Sequence, residues 1–352
     1  MLIYSLCNRY KEEKFLLYTY SNVKLPNNLP KNLTCKKYNE FIFRTTRKLG
    51  KYFNRLSSLE NRLINKCDNV IVIGGSLFME SKRNLDLSEY SFWYKNIKKP
   101  YYILGSNIGP VYSTEYINEI KDNVFSKAKD VCLRDNKSYE YVSELKNVRV
   151  STDIIFSYDV SKYRKVKEEN KVIISVIDIS KKAGQIVNPD LEKYEQKILE
   201  LIKFFVNREY EIELMSFCKE EGDEIAIESI FNKSEFKNKI KKYYYNGNVE
   251  EALSELATAK TIIGTRFHAN IIGFLLNKNV IPVIYNDKTR NMLEDISFEG
   301  KYIDIENMDN FNIKELKDED LKYLINIDKH IRKAESQFKI LDEVFSKDER
   351  LK

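Results

Sequence analysis

Short, uninterrupted apolar runs alternate along this chain with longer stretches whose apolar positions recur every three or four residues. Residues 69–75 (NVIVIGG), 101–105 (YYILG), 130–133 (DVCL) and 148–150 read as buried strands, with helical stretches between them. Residues 2–6 and 15–20 read as two further strands, and the charged segment 45–67 as a helix. A second alternation runs through residues 171–177 (KVIISVI), 211–216, 241–245, 261–264 and 280–285. Strands that are apolar on both faces and separated by helices predict parallel sheets covered on both sides. Between the two alternations lies the polar segment 157–170 (SYDVSKYRKVKEEN), the expected linker. The expected architecture is therefore α/β: two doubly wound, Rossmann-like domains facing a cleft, followed by a helical tail. The boundaries read as 1–160, 161–310 and 311–352, with the tail packing back on the domains.

The candidate chemistry concentrates in residues 261–296 (TIIGTRFHANIIGFLLNKNVIPVIYNDKTRNMLEDI). A strand ending at Gly264 meets a turn, then a helix from Phe267. Thr265 is the expected cap of that helix, Arg266 a planar two-pronged donor for carboxylate or phosphate, and His268 a phosphate donor or proton carrier. Lys288 follows the next strand, and Arg290 lies near it. The alternative is a packed structural histidine beside a solvated arginine. In the first half, Arg134 follows another short strand, Asp135 is a helix cap and Ser138 comes three residues later. Gly74 and Gly75 end one strand, and Gly105 and Gly109 follow another; glycines there let a ligand approach the backbone.

The chain has 352 residues, 43% of them hydrophobic, which suffices for two cores. Its 59 basic and 53 acidic residues leave only +6, well short of a basic nucleic-acid footprint, so no nucleic-acid partner is expected. Five cysteines stand singly, which speaks against a disulfide framework, and two histidines cannot build a His-rich metal site. No metal and no cofactor are expected. Walker, GxGxxG and GxSxG motifs do not occur, so the sequence offers no support for ATP hydrolysis, NAD chemistry or a hydrolase triad. The opening residues lack the apolar core of a signal peptide. The expected location is the cytoplasm, with peripheral association at the inner membrane face compatible with the charge. Oligomeric state is left open.

In order, the pieces VIVIGGSLF, YYILGSNIGP, VCLRDNKSYEYV, VSTDIIF and IIGTRFHANIIGFLLNKNVIPVIYNDKTRNML span about residues 70–300. Together they resemble the polysaccharide pyruvyl transferase family. That resemblance implies a GT-B-like fold and transfer of the pyruvyl group of phosphoenolpyruvate onto a sugar of a surface polysaccharide, capsule or cell-wall glycan precursor. A pyruvate ketal forms and phosphate is released. It places the family's substrate-binding arginine on Arg134, the histidine of its R-x-H motif on His268 with Arg266 as that motif's arginine, and its lysine on Lys288. His268 and Arg134 are then the expected catalytic residues, Arg266 and Lys288 further phosphoenolpyruvate ligands, and a sugar or lipid-linked glycan the acceptor. The chain departs from the family at residues 7–11, where a G-N-x-G-D loop is common, and at Gly74–Gly75–Ser76, where GGG is common. Two other classes stay open: a GT-B glycosyltransferase using a nucleotide sugar, and a non-catalytic binding protein of glycan assembly.

Overall fold

The computed structural model describes residues 1–20, 29–39, 41, 45, 59–80, 94–182 and 190–348. It divides into two compact units, Met1–Tyr158 with His330–Lys352, and Asp159–Lys329. The chain passes to the second unit after Tyr158 and returns to the first at His330.

In the first unit, β1 (Phe15–Tyr20) and β2 (Leu33–Tyr38) form a parallel pair. A second, all-parallel sheet contains β3 (Val70–Ile73), β4 (Tyr101–Ser106), β5 (Asp130–Leu133) and β6 (Val148–Val150), side by side in chain order. Its strands are apolar on both faces because each face is covered. One face meets Phe78, Tyr116, Ile117, Ile120 and Phe125, the other Leu6, Tyr10, Phe338 and Leu341.

Residues 2–6, expected as a strand, lie instead in a helix, Leu2–Arg9. Tertiary contact decided the matter: Leu6 and Cys7 are buried, and Arg9 grips two carboxylates of the returning C-terminal segment. Its Nε and Nη2 each donate to Asp342 at 2.8 Å, and Nη1 to Glu335 at 2.6 Å. Of the expected helix over 45–67, residues 59–64 are helical, while 46–58 lie outside the described residues.

The second unit holds β7 (Lys171–Ser175), β8 (Glu211–Met215), β9 (Ile240–Tyr243), β10 (Thr261–Gly264), β11 (Asn279–Ile284) and β12 (Ile303–Asp304). Every pair is parallel, and the spatial order is β12-β11-β10-β7-β8-β9. The chain winds outward from β7 to β9, returns to the middle at β10, and winds outward the other way. That is the doubly wound order, with its switch point between β7 and β10. The covering helices follow from pattern and caps. Leu191–Val206 buries Tyr194, Ile198, Leu201, Ile202 and Phe205 along one stripe, and Asp190 caps it by accepting from the Lys193 amide at 2.9 Å.

The expected tail, 311–352, is split between the units. Phe311, Ile313 and Leu316 join the core of the second unit through short 3-10 turns. Residues from His330 onward belong to the first, where Phe338 and Leu341 fill the sheet's second face. The physical reason is the apolar content of residues 311–316, which a solvated helix face would have exposed. Among the described residues, no helix is long and apolar enough to cross a membrane.

Gln337 makes the returning segment part of the first unit. Its fully buried amide accepts from the Gly105 N–H at 3.0 Å and donates to the Thr152 carbonyl at 2.9 Å. Replacing Gln337 with Ala strands both backbone groups and opens a cavity, at a cost of about 3 kcal/mol. Urea unfolding of the full chain should register that loss as a lower midpoint for the transition of the first unit.

Candidate functional site

The switch point of the second unit is built around two strand ends. Ser175 ends β7 and lies opposite Gly264, the end of β10. The turn after β10 is tied to β7: the Thr265 amide donates to the Ser175 carbonyl at 3.1 Å, and the Arg266 amide to the Ser175 hydroxyl at 3.0 Å. Gly264 is required by packing. A Cβ there would stand 2.0 Å from Oδ1 of Asn270, which belongs to the helix Phe267–Leu275. That helix opens without a side-chain cap, so the role expected of Thr265 is not what the structure shows. The Thr265 hydroxyl instead meets the Tyr194 hydroxyl at 3.1 Å, and Tyr194 also accepts the Ile177 amide at 3.3 Å. A tyrosine hydroxyl buried this deeply needs partners, and Thr265 supplies the side-chain one.

Arg266 was expected to hold an anionic ligand, and it already holds two carboxylates. Its Nε donates to Asp223 at 2.9 Å, its Nη2 to the other oxygen of Asp223, and its Nη1 to Glu221. Asp223 is fully buried and also accepts the amides of Phe217 and Cys218, each at 2.9 Å. Glu221 takes a further bond from Lys182 Nζ. Burial raises the carboxyl pKa of Glu221, but the bonds from Lys182 and Arg266 outweigh it and hold the group down at about 2. Two cations and two anions thus balance inside this cluster. The sequence reading missed Lys182, Glu221 and Asp223, which lie far from the R-x-H segment in the chain. Asp223, in the first turn of a helix, looks in sequence like an ordinary helix-start acid.

His268 is exposed on the first turn of the same helix, its ring 5.4 Å from that of Phe267. Lys288 lies just past β11, in the helix Asp287–Asp295 that Asn286 caps. Its Nζ stands 5.7 Å from the Phe267 ring centroid and 5.9 Å from that of Tyr285. Arg266, His268 and Lys288 therefore share the carboxyl end of the sheet, on the loops after neighbouring strands. Arg290 is paired with Asp304 at 2.9 Å and takes no part.

Arg134 belongs to the first unit. It follows β5, and its amide donates to the Ser106 carbonyl at 2.9 Å. Its buried guanidinium donates to Asp153 at 3.0 Å, to Asn107 at 2.6 Å and to Ser76 at 3.4 Å. Gly75 allows this, since a Cβ there would sit 3.0 Å from Nη1. Gly74 continues the same turn, donating its amide to the Leu104 carbonyl at 3.3 Å. Gly105 has φ +70 and packs on Ile154; Gly109 has φ +125, with open space where a Cβ would stand. Asp135 caps its helix as expected, accepting from the Ser138 amide at 2.7 Å, and the Ser138 hydroxyl accepts the Ile108 amide at 2.7 Å. The separate sequence motifs of this half thus meet in one cluster around Arg134. Among the described residues, no group of His, Cys, Asp and Glu side chains is disposed to hold a metal ion.

A second perturbed cluster joins Lys171, Glu213 and Glu255, with Lys171 3.6 Å from Glu213. Burial pushes the Glu213 carboxyl up to about 8. Lys171 opens β7 at the strand end opposite the switch point, so we read this cluster as structural.

Two outcomes test the network. Replacing Asp223 with Ala leaves Arg266 buried without its main partner and should destabilise the second unit by about 3–5 kcal/mol, measured by urea unfolding. Glu221 sets a pH dependence. Its folded pKa is depressed from 4.5 to about 2, so its contribution is complete above the unfolded value and drains away as pH falls towards 2. The Glu221→Gln variant should therefore lose less of its unfolding midpoint than the parent between pH 5 and pH 2.

Among solved structures, the chain is similar to HepE from Anabaena in complex with UDP and glucose, at 9% identity and TM-score 0.51 over 95% of this chain and 99% of that one. It is also similar to the UDP-forming α,α-trehalose-phosphate synthase of Burkholderia xenovorans, at 7% identity and TM-score 0.52 over 99% and 96%. A third likeness is to the UDP-GlcNAc 2-epimerase of Methanocaldococcus jannaschii, at 10% identity and TM-score 0.52 over 89% and 92%. At such identities the likeness concerns the fold alone: α/β, GT-B-like, with two Rossmann-like units. The family model described as polysaccharide pyruvyl transferase matches residues 4–287, which include Arg134, Arg266 and His268. With the match covering well over half its length, the chain belongs to the polysaccharide pyruvyl transferase family.

Proposed function

We propose that this protein transfers the pyruvyl group of phosphoenolpyruvate to a sugar of a surface polysaccharide or cell-wall glycan precursor. The observation that carries the reading is the placement of His268 and Lys288. Both stand at the carboxyl end of a doubly wound parallel sheet, on loops that follow the neighbouring strands β10 and β11. Ligands of open α/β sheets bind at that end. Phosphoenolpyruvate carries a carboxylate and a phosphate, so cations on converging loops suit it.

The reaction assigns the residues roles. Protonation of the methylene carbon makes a cationic centre at the carbon bearing the phosphate ester. An acceptor hydroxyl adds to that carbon. A second hydroxyl then displaces phosphate, with cleavage of the carbon–oxygen bond. Of the two protons given up by the acceptor, one balances the new methyl group and the other leaves on phosphate. His268 is the general acid or the donor to phosphate. Lys288 neutralises the leaving phosphate. Arg134, held by Asp153 and Asn107, is assigned to the same substrate, and so is Arg266. The charge of Arg266 is already balanced by Asp223, so fixing the turn that carries His268 is its larger part. The acceptor is a sugar or a lipid-linked glycan; a lipid-linked one would bring the protein to the inner face of the membrane. The nucleotide-sugar reading rests on a fold shared at 7–10% identity, which does not carry a substrate.

Incubation with phosphoenolpyruvate and candidate glycan acceptors should release phosphate and yield a product heavier by a pyruvate ketal. His268→Ala should lower kcat by about 10²–10⁴-fold. Lys288→Ala should raise KM for phosphoenolpyruvate, and Arg134→Ala should lower kcat/KM. Full activity in the His268 variant would remove that residue from the chemistry. Thermal stabilisation by UDP or a UDP-sugar, with none by phosphoenolpyruvate, would favour glycosyl transfer instead.

A further inference from the structure

The least buried member of the Arg266 cluster is Glu221. Its side chain is 44% exposed, against 10% for Arg266, 7% for Lys182 and 0% for Asp223. It ends a short 3-10 turn and precedes Gly222, whose φ of +87 places a left-handed residue beside it. The two carboxylates bound to Arg266 are therefore unlike. Asp223 is locked by four donors, the Phe217 and Cys218 amides with Nε and Nη2 of Arg266. Glu221 reaches in from the surface with a single oxygen, Oε2, which takes both Arg266 Nη1 and Lys182 Nζ.

We propose that Lys182 and Arg266 form the subsite for a ligand carboxylate, and that Glu221 occupies it in the absence of ligand. The assignment rests on the phosphoenolpyruvate reading for the identity of the ligand, but not for the chemistry of the site. Three observations support it. First, the position accepts a carboxylate oxygen as it stands, between a guanidinium and an ammonium. Second, exchange conserves charge. With two cations and two carboxylates the cluster is neutral, and a ligand carboxylate that displaces Glu221 leaves it neutral, while Glu221 moves into water. Binding without displacement would bury an extra negative charge, which is costly. Third, the subsite adjoins the proposed phosphate ligands. Lys182 Nζ stands 6.0 Å from the Tyr285 ring centroid and Lys288 Nζ 5.9 Å from the same centroid. Both ammonium groups thus neighbour the same ring, which brings the carboxylate subsite and the cation assigned to phosphate into one region of the unit.

Displacement has a signature opposite to that of a structural bond. If Glu221 only stabilised the loop, removing its charge would weaken ligand binding. If it competes with ligand, removing it raises the binding-competent fraction. The test measures binding of pyruvate, inorganic phosphate and phosphoenolpyruvate to the full chain by titration calorimetry. Glu221→Gln should lower Kd for pyruvate and for phosphoenolpyruvate by about tenfold, with phosphate little changed. Lys182→Gln added to Glu221→Gln should abolish that gain. Should Glu221→Gln not fold, Glu221→Asp, too short to bridge both cations, carries the same expectation. Unchanged, weaker or undetectable pyruvate binding in the folded variant would overturn the proposal. A gain for phosphate alone would overturn the carboxylate assignment. The functional reading fails separately: a tenfold gain for pyruvate in a protein that never turns over phosphoenolpyruvate would leave the subsite and remove the transferase.

Discussion

The buried pairing of Arg266 with Asp223 is the constraint on which the rest of the second unit's site depends. A guanidinium is taken out of water at the end of β10, and that is tolerable only because a fully buried carboxylate meets it with two parallel bonds. The pair connects the β10 turn to the start of the helix Asp223–Lys233. The Ser175 hydroxyl and the Tyr194–Thr265 contact tie the same turn to β7 and to the helix Leu191–Val206. The exposed His268 owes its place to this buried scaffold. A proton-transfer group needs access to ligand, and it also needs a backbone that does not move; the network supplies the second while leaving the first open.

The first unit uses the same device on its own sheet. Arg134 follows a buried strand, is buried itself, and is met by Asp153 at 3.0 Å. Around it, Ser76, Asn107 and the bare backbone of Gly75 close the cluster. In both units, then, the motif arginine is a structural member before it is a candidate ligand. Its charge is partly spent on a carboxylate of the same unit. Arginine suits this double duty, because a five-donor plane can satisfy protein partners along one edge and present another.

Much of this was legible in the chain. The R-x-H segment, the glycine turns, the Asp135 cap with Ser138 and the positions of nearly all the strands follow from apolar runs, helix-start residues and glycine placement. Three readings went astray, each for a tertiary reason. Residues 2–6 are as apolar as a strand, but the returning segment offers Arg9 two carboxylates and Leu6 a core to enter, and a helix results. Thr265 has the chemistry of a cap, but a buried tyrosine hydroxyl claims it. Residues 311–316 sit among charges, yet their apolar side chains complete the second core.

The sequence by itself determined the α/β class, the tandem order of two Rossmann-like units and the strand-end placement of Arg134, Arg266, His268 and Lys288. These are local matters: periodicity sets element type, and a polar residue after a buried strand has nowhere to go but the strand end. Only the tertiary structure decided which groups neutralise those cations. Glu221 and Asp223 come to Arg266 from 45 and 43 residues away in the chain, and Asp153 to Arg134 from 19. Electrostatic balance in a buried site is a property of distances in space, and no short motif records it.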